Sequence, residues 1–394
     1  MSTILKLKSG KKGIIRPLHP WIYKAQLCKE GLSINSARSV TVVDHRDKFI
    51  GKGYYNSRSE IAVRILTFKD EEIDKAFFNR RVEDAFKKRE RLHSSTNAYR
   101  VIFSEADGMP GLIVDLYDHT AVFQVLTLGM ELFKELIVGS IKEVIKPKYI
   151  YEKSVSPFRK IEGIKDVAQW WGDPGADVVE IFEGNTKFLV DIVNSHKTGF
   201  YLDQRRSRMA LAGLCKGKKI LDLFCYTGAF SVFAAVNGAS SVTGVDIKED
   251  WLDMARRNAA LNGVTQKAGF LKKDVFAVIE EFRKNGEKFD IVIVDPPSFL
   301  KTKVSLVSAS KGYKELNKGA VNLLNDDGIL ATFTCSHNMP NANFSNILKE
   351  VFISENKKAA ILKRCHQAED HPFIRAIPET EYLKGYFYKI GPNR

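Results

Sequence analysis

Cysteine is scarce in this chain and shows no pairing pattern. The five thiols, Cys28, Cys215, Cys225, Cys335 and Cys365, form no C-x-x-C and no Cys/His cluster of ligand spacing. That argues against a zinc site, so no metal is expected. An odd number of scattered thiols suits a reducing, cytoplasmic compartment. Long apolar runs are missing too, and none approaches the roughly 20 residues of a membrane span. The opening stretch, MSTILKLKSGKKGIIR, lacks the apolar core and cleavage site of a secretory signal. A soluble chain with no membrane partner is expected. Acid is in deficit, with a formal net charge of +14. The bland reading is a basic surface; the sharper one is a polyanionic partner, for which RNA is favoured.

A further absence decides the cofactor. Lys219–Asp246 reads strand, turn, helix, strand, with an acid at the end of the second strand. In open α/β sheets, ligands bind beyond the carboxyl ends of the strands. A dinucleotide site would show G-x-G-x-x-G after the first strand. The loop Phe224-Cys225-Tyr226-Thr227-Gly228 has one glycine and bulky residues at its tip. A pyrophosphate finds little room there, which disfavours a dehydrogenase. An adenosine carrying an amino acid fits better, which is the layout of an S-adenosylmethionine site. Asp222 then takes the ammonium and Asp246 the ribose hydroxyls, with Phe224 and Gly228 shaping the turn.

The same logic runs along the following strands. Phe270–Asp274 ends on Asp274, which either reaches the adenine amino group or simply caps the next helix. Phe289–Val294 is continuously apolar after Asp290, as in a buried parallel sheet. It runs into Asp295-Pro296-Pro297-Ser298-Phe299, where two prolines stiffen the turn. Carbonyls there can accept from a base, and Phe299 can stack on it. Gly328–Thr334 delivers Cys335 to the same end of the sheet. Free cysteines are mostly small buried hydrophobes, but this position favours a catalytic thiol. Cys225 reads as packing. His337 assists or makes a local bond. Upstream, HKTGFYLDQRRSR (196–208) can fold over the cofactor through Gln204 and Arg205, or be an ordinary capped helix. The last strand, Gly385–Ile390, is expected at the antiparallel edge, and Asp370-His371-Pro372 is a candidate pocket lining.

The fold class expected is α/β: a Rossmann-like domain at 185–394, a small central α/β domain at 76–184 that places the substrate, and a small β-barrel at 1–75. Glycine-punctuated strands mark the first segment, and its Trp21 is read as core rather than ligand. An amphipathic helix with a basic face, carrying Arg80, Arg81, Lys87, Lys88, Arg89 and Arg91, spans 76–92. A second amphipathic helix is expected over Met130–Lys146, ended by Pro147.

The first segment resembles a PUA domain. The ordered set KTGFYLDQR, LDLFCYTGAF, DPPSF, GYKELN (312–317), FTCS and DHPFIRAIPETEYLKG resembles the RlmI-type family of bacterial large-subunit ribosomal RNA cytosine-C5 methyltransferases. The resemblance implies S-adenosylmethionine as cofactor, 23S ribosomal RNA as partner and a possible homodimer. It places the nucleophile at Cys335 and the acid at Asp295. A thiolate adding to cytosine C6 makes C5 nucleophilic, and protonation at N3 by Asp295 helps. Many RNA cytosine-C5 enzymes carry a second cysteine where this chain has Pro297, so the releasing base stays unassigned. Two alternatives remain open: an amino-methyltransferase acting on guanine or adenine, which needs no thiol, and a non-catalytic RNA-binding assembly factor.

Overall fold

The computed structural model describes residues 3–13, 15–28, 37–298 and 306–393. The chain forms two compact units. The first comprises Met1–Ile181, Val190–Leu202 and Glu369–Thr380; the second comprises Phe182–Leu189, Asp203–Ala368 and Glu381–Arg394. Among the described residues no helix is long and apolar enough to cross a membrane.

The first unit opens on β1 (Thr3–Lys6), β2 (Trp21–Ile22), β3 (Ala37–Val43), β4 (Phe49–Tyr55) and β5 (Val63–Thr67), in the order β1-β3-β4-β5-β2. Its core is Leu5, Leu7, Ile22, Val40, Val42, Val63 and Ile65. Gly53 lets two strands meet, because a Cβ there would lie 2.0 Å from the Arg64 carbonyl oxygen. Trp21 is only half-buried, and its indole Nε1 donates to Glu105 across 2.8 Å.

A second sheet follows α1 (Lys75–Lys87), which Asp74 caps by accepting from Phe77 N–H at 2.8 Å. The sheet contains β6 (Ala98–Phe103), β7 (Leu112–Tyr117), β8 (Thr120–Val125), β9 (Tyr149–Ser154) and β10 (Val167–Trp170), ordered β10-β9-β8-β7-β6. Phe77, Phe78, Val82 and Ala85 of α1 are buried against it. Tyr54 and Leu66 of the first sheet belong to the same core. The helix expected over Met130–Lys146 is broken into α2 (Leu128–Leu132), α3 (Lys134–Ser140) and a wide turn at Ile141–Ile145. Pro147 offers no N–H to continue it, and Lys146 closes it in the left-handed conformation at φ 54.

Two expectations change in this unit. Arg89, expected on the exposed basic face of the helix, is buried and clasps Asp107 through two hydrogen bonds of 2.8 and 2.7 Å. Arg81 donates to the Leu66 carbonyl, and Arg80 pairs with Glu71. Lys87 pairs with Glu83 and Lys88 with Asp107, so five of the six cations expected on that face have partners within the chain. Asp370 and His371, the candidate pocket lining, are both buried, and Asp370 accepts from the Arg100 backbone N–H at 2.9 Å.

A hairpin, β11 (Val178–Glu183) and β12 (Thr186–Asp191), is divided between the units. The second unit is built on seven strands in the order β15-β14-β13-β16-β17-β19-β18. They are β13 (Lys219–Leu223), β14 (Ser241–Asp246), β15 (Ala268–Lys272), β16 (Phe289–Val294), β17 (Leu324–Thr334), β18 (Lys357–Cys365) and β19 (Lys384–Pro392). The pairings among β15, β14, β13, β16 and β17 are all parallel. Between strands run α4 (Pro157–Glu162) in the first unit and, in the second, α5 (Arg205–Ala212), α6 (Ala229–Val236), α7 (Glu249–Leu261), α8 (Val275–Lys284), α9 (Leu306–Asn322) and α10 (Asn341–Ser354). This is the Rossmann-like arrangement expected. Leu221, Leu223, Val292, Val294 and Leu330 of the sheet are buried with Val278, Leu316, Leu348 and Val351 of the helices.

One placement differs. The last strand is antiparallel, as expected, but it is not the edge; it lies between β17 and β18. The edge is β18, KKAAILKRC, largely exposed along its length. Charged edges of this kind discourage strand addition by other chains.

Candidate active site

Parallel pairing brings the functional strand ends into line. Leu223 sits opposite both Val245 and Val294, and Val294 opposite Thr332. Asp222, Asp246, Asp295 and Cys335 thereby collect at the carboxyl end of one sheet, where α/β folds bind ligands.

Asp222 is almost wholly buried. Its Oδ2 accepts from Ser231 Oγ at 2.6 Å, while Oδ1 has no hydrogen-bond partner among the described residues. Burial pushes its pKa up to about 7, and the neighbouring Asp295 and Asp246 charges add to the rise. A buried acceptor left open costs free energy unless a ligand fills it.

The turn after β13 is strained. Phe224, Tyr226 and Gly228 all have positive φ, at 65, 51 and 77, a region costly for side chains other than glycine's. Gly228 has a second reason: a Cβ there would lie 2.9 Å from that of Ala255 and 3.1 Å from the Phe270 ring. The turn points the Tyr226 N–H at Asp246 Oδ2, 2.9 Å away. Asp246 Oδ1 accepts from the backbone N–H of Ile247 at 2.7 Å. Two oxygens with about four acceptor directions still have capacity for a diol. The Tyr226 ring meets Trp251 edge-on at 4.8 Å, an aromatic wall that the sequence reading passed over. Cys225 is buried in this turn, and desolvation raises its thiol pKa well above the ordinary value. A thiol held protonated is a poor nucleophile.

Gln204 donates from Nε2 to Asp295 Oδ2 at 3.1 Å. Asp203, one residue earlier, accepts from Tyr382 Oη at 2.6 Å. Arg205, expected on the cofactor, instead lies 3.5 Å from Glu183 Oε1 and shares that carboxylate with Arg208. Asp274 is exposed and caps α8, accepting from Ala277 N–H at 3.1 Å. Phe224 is half-buried, Pro296 buried and Pro297 exposed. Phe299 lies outside the described residues.

Cys335 follows β17 and is half-exposed, unlike Cys215, Cys225 and Cys365, which are buried. Beside it lies a residue that the sequence reading missed. Lys384 of β19 is registered opposite Thr334 and buried, with Nζ 3.3 Å from the Ser336 carbonyl oxygen. Burial lowers the pKa of its ammonium. Among the described residues no group of three or more His, Cys, Asp or Glu could hold a metal ion.

The geometry fits S-adenosylmethionine. The open oxygen of Asp222 suits an ammonium, and Asp246 suits a ribose. Fold and site together define an S-adenosylmethionine-dependent methyltransferase. The sequence matches that methyltransferase family over residues 163–384 and a PUA-like domain over residues 5–68. The chain is 39% identical to Ribosomal RNA large subunit methyltransferase I of Alteromonas mediterranea, covering 99% of both chains. It is 38% identical to the protein of that name from Photobacterium profundum, covering 98% of this chain and 99% of the other. A solved methyltransferase, SMU.776, complexed with SAH, shares the fold with a TM-score of 0.84 at 23% identity, covering 99% of this chain and 100% of that one. This chain belongs to the Ribosomal RNA large subunit methyltransferase I family.

Proposed function

We propose that this enzyme methylates C5 of a cytosine in 23S ribosomal RNA, in the cytoplasm, through a covalent bond between Cys335 and C6. The observation that carries the reading is the position of Cys335. It is a half-exposed thiol at the carboxyl end of the strand beside β16, whose own end leads into Asp295. A base taken out of its stack would lie there.

S-adenosylmethionine, when bound, supplies an electrophilic methyl group for C5. Asp222 holds the cofactor's ammonium and Asp246 its ribose; Asp274 and Phe224 border the adenine. Asp295, oriented by Gln204, donates a proton toward N3. Cys335 adds to C6, which raises the electron density at C5. Loss of the C5 proton then expels the thiolate. Pro296 and Pro297 shape the slot for the base. The three-domain division at 1–75, 76–184 and 185–394 assigns RNA placement to the first two parts.

The test uses RNA containing 5-fluorocytosine. Fluorine at C5 cannot leave as a proton does, so release stalls. The wild-type enzyme is expected to give a methylated adduct that survives denaturation, and Cys335→Ala to lose both adduct and activity while still binding cofactor. A fully active Cys335→Ala enzyme would transfer the case to methylation of an exocyclic amine of guanine or adenine.

A further inference from the structure

Burying an ammonium is costly unless charge or several acceptors compensate it. Lys384 is 6% exposed, yet the hydrogen bond shown for its Nζ goes to one carbonyl, that of Ser336. Ser336 is the neighbour of Cys335, and backbone pairing fixes the approach: Thr334 and Lys384 are the last opposed pair of the antiparallel β17–β19 register, at the carboxyl end of β17. Burial lowers the pKa of the Lys384 ammonium, and Glu381 and Cys335 oppose that fall. Glu381 is itself 3.6 Å from His366 Nδ1. The His337 ring lies against Tyr382, centroids 5.2 Å apart.

We propose that Lys384 is a positioning residue for the reaction: its buried ammonium is the counter-ion that holds Cys335 as a thiolate. This rests on the reading of Cys335 as nucleophile. The Sγ–H proton leaves to solvent, and the thiolate forms opposite a charge that the sheet has already placed. While the sulfur is bonded to C6, the ammonium rests on the Ser336 carbonyl. When the C6–S bond breaks, the leaving electron pair returns to a sulfur facing a cation. A nearby cation lowers a thiol pKa and improves it as a leaving group. A purely structural lysine would only tie β19 to the Ser336 carbonyl, with no effect on sulfur ionisation.

The experiment needs no RNA. Iodoacetamide alkylation of Cys335 is followed by mass spectrometry across a pH series on the full chain. In the wild type the midpoint is expected below the ~8.5 of a free thiol. Lys384→Met should raise it by about one unit, making alkylation about tenfold slower at neutral pH. Lys384→Arg should keep it low. Unchanged cofactor binding shows that the variants are folded. A Lys384→Met profile that overlays the wild type overturns the inference. So does a wild-type midpoint at the free-thiol value, which needs no variant at all. A depressed midpoint that depends on Lys384, found together with no fluorocytosine adduct, would keep the ion pair and sink the cytosine reading instead.

Discussion

The side-chain amide of Gln204 reaches Asp295 Oδ2 at 3.1 Å, joining the segment ahead of α5 to the acid that follows β16. The two residues are 91 positions apart, and the bond orients a carboxyl group that the proposed chemistry needs in one direction. Gln204→Ala is expected to slow turnover about tenfold, the cost of one hydrogen bond of roughly 1.5 kcal/mol. Single-turnover kinetics with saturating cofactor would measure it. A rate equal to the wild type would detach Gln204 from the catalytic step.

Asp222 gives a proton-linked prediction. In the free enzyme burial holds its carboxyl in the acid form up to about pH 7. A bound ammonium favours the carboxylate, so cofactor binding below that pH must expel a proton. Affinity should climb as the pH rises toward about 7 and then level off. Calorimetry in buffers of different ionisation enthalpy reads the released proton directly. No release at the acid end would remove Asp222 from the ammonium.

Asp246→Ala removes a charged acceptor from the ribose and also frees the Tyr226 N–H in a strained turn. Each lost charge-assisted bond is worth roughly 1.5–3 kcal/mol. The expected result is cofactor affinity at least about tenfold weaker, together with a lower melting temperature. Calorimetry of a folded variant that binds normally would contradict the assignment.

Glu183 and Arg208 are both 1% exposed and joined by two bonds of 2.7 Å. Glu183→Ala strands a buried guanidinium and should cost about 3–5 kcal/mol of stability. Arg256→Ala is the control: its partners Glu249 and Asp253 are on the surface, and such pairs are worth about 0–1 kcal/mol. Denaturant melts of the second unit's transition would compare them. Equal losses would mean that Glu183 is not stabilising the hairpin through charge.

The acids and the thiol were legible in the sequence because each lies at or near the end of an apolar strand, and a parallel sheet lines up strand ends whatever the loops do. Asp222, Asp246, Asp295 and Cys335 needed only local pattern and chain order. What escaped depends on pairing between distant segments. Lys384 stands beside Cys335 through a register spanning 50 residues, and nothing around either residue announces it. Arg89 looked like surface charge because helix periodicity cannot show the Asp107 that buries it. Lys357–Cys365 went unread as a strand because an exposed edge carries no alternation of apolar and polar residues.

The position of β19 sets an assembly order. β18 is made first in the chain, yet pairs only with β19, which also supplies the pairing for β17. Until Lys384–Pro392 inserts between them, β18 has no neighbouring strand among the described residues, and the proposed counter-ion of Cys335 is not in place. A chain cut between Cys365 and Lys384 would therefore leave β17 and β18 without their shared partner and, on the proposed mechanism, take the lysine from Cys335, while keeping Asp222, Asp246 and Asp295. Such a fragment could hold the methyl donor without using it.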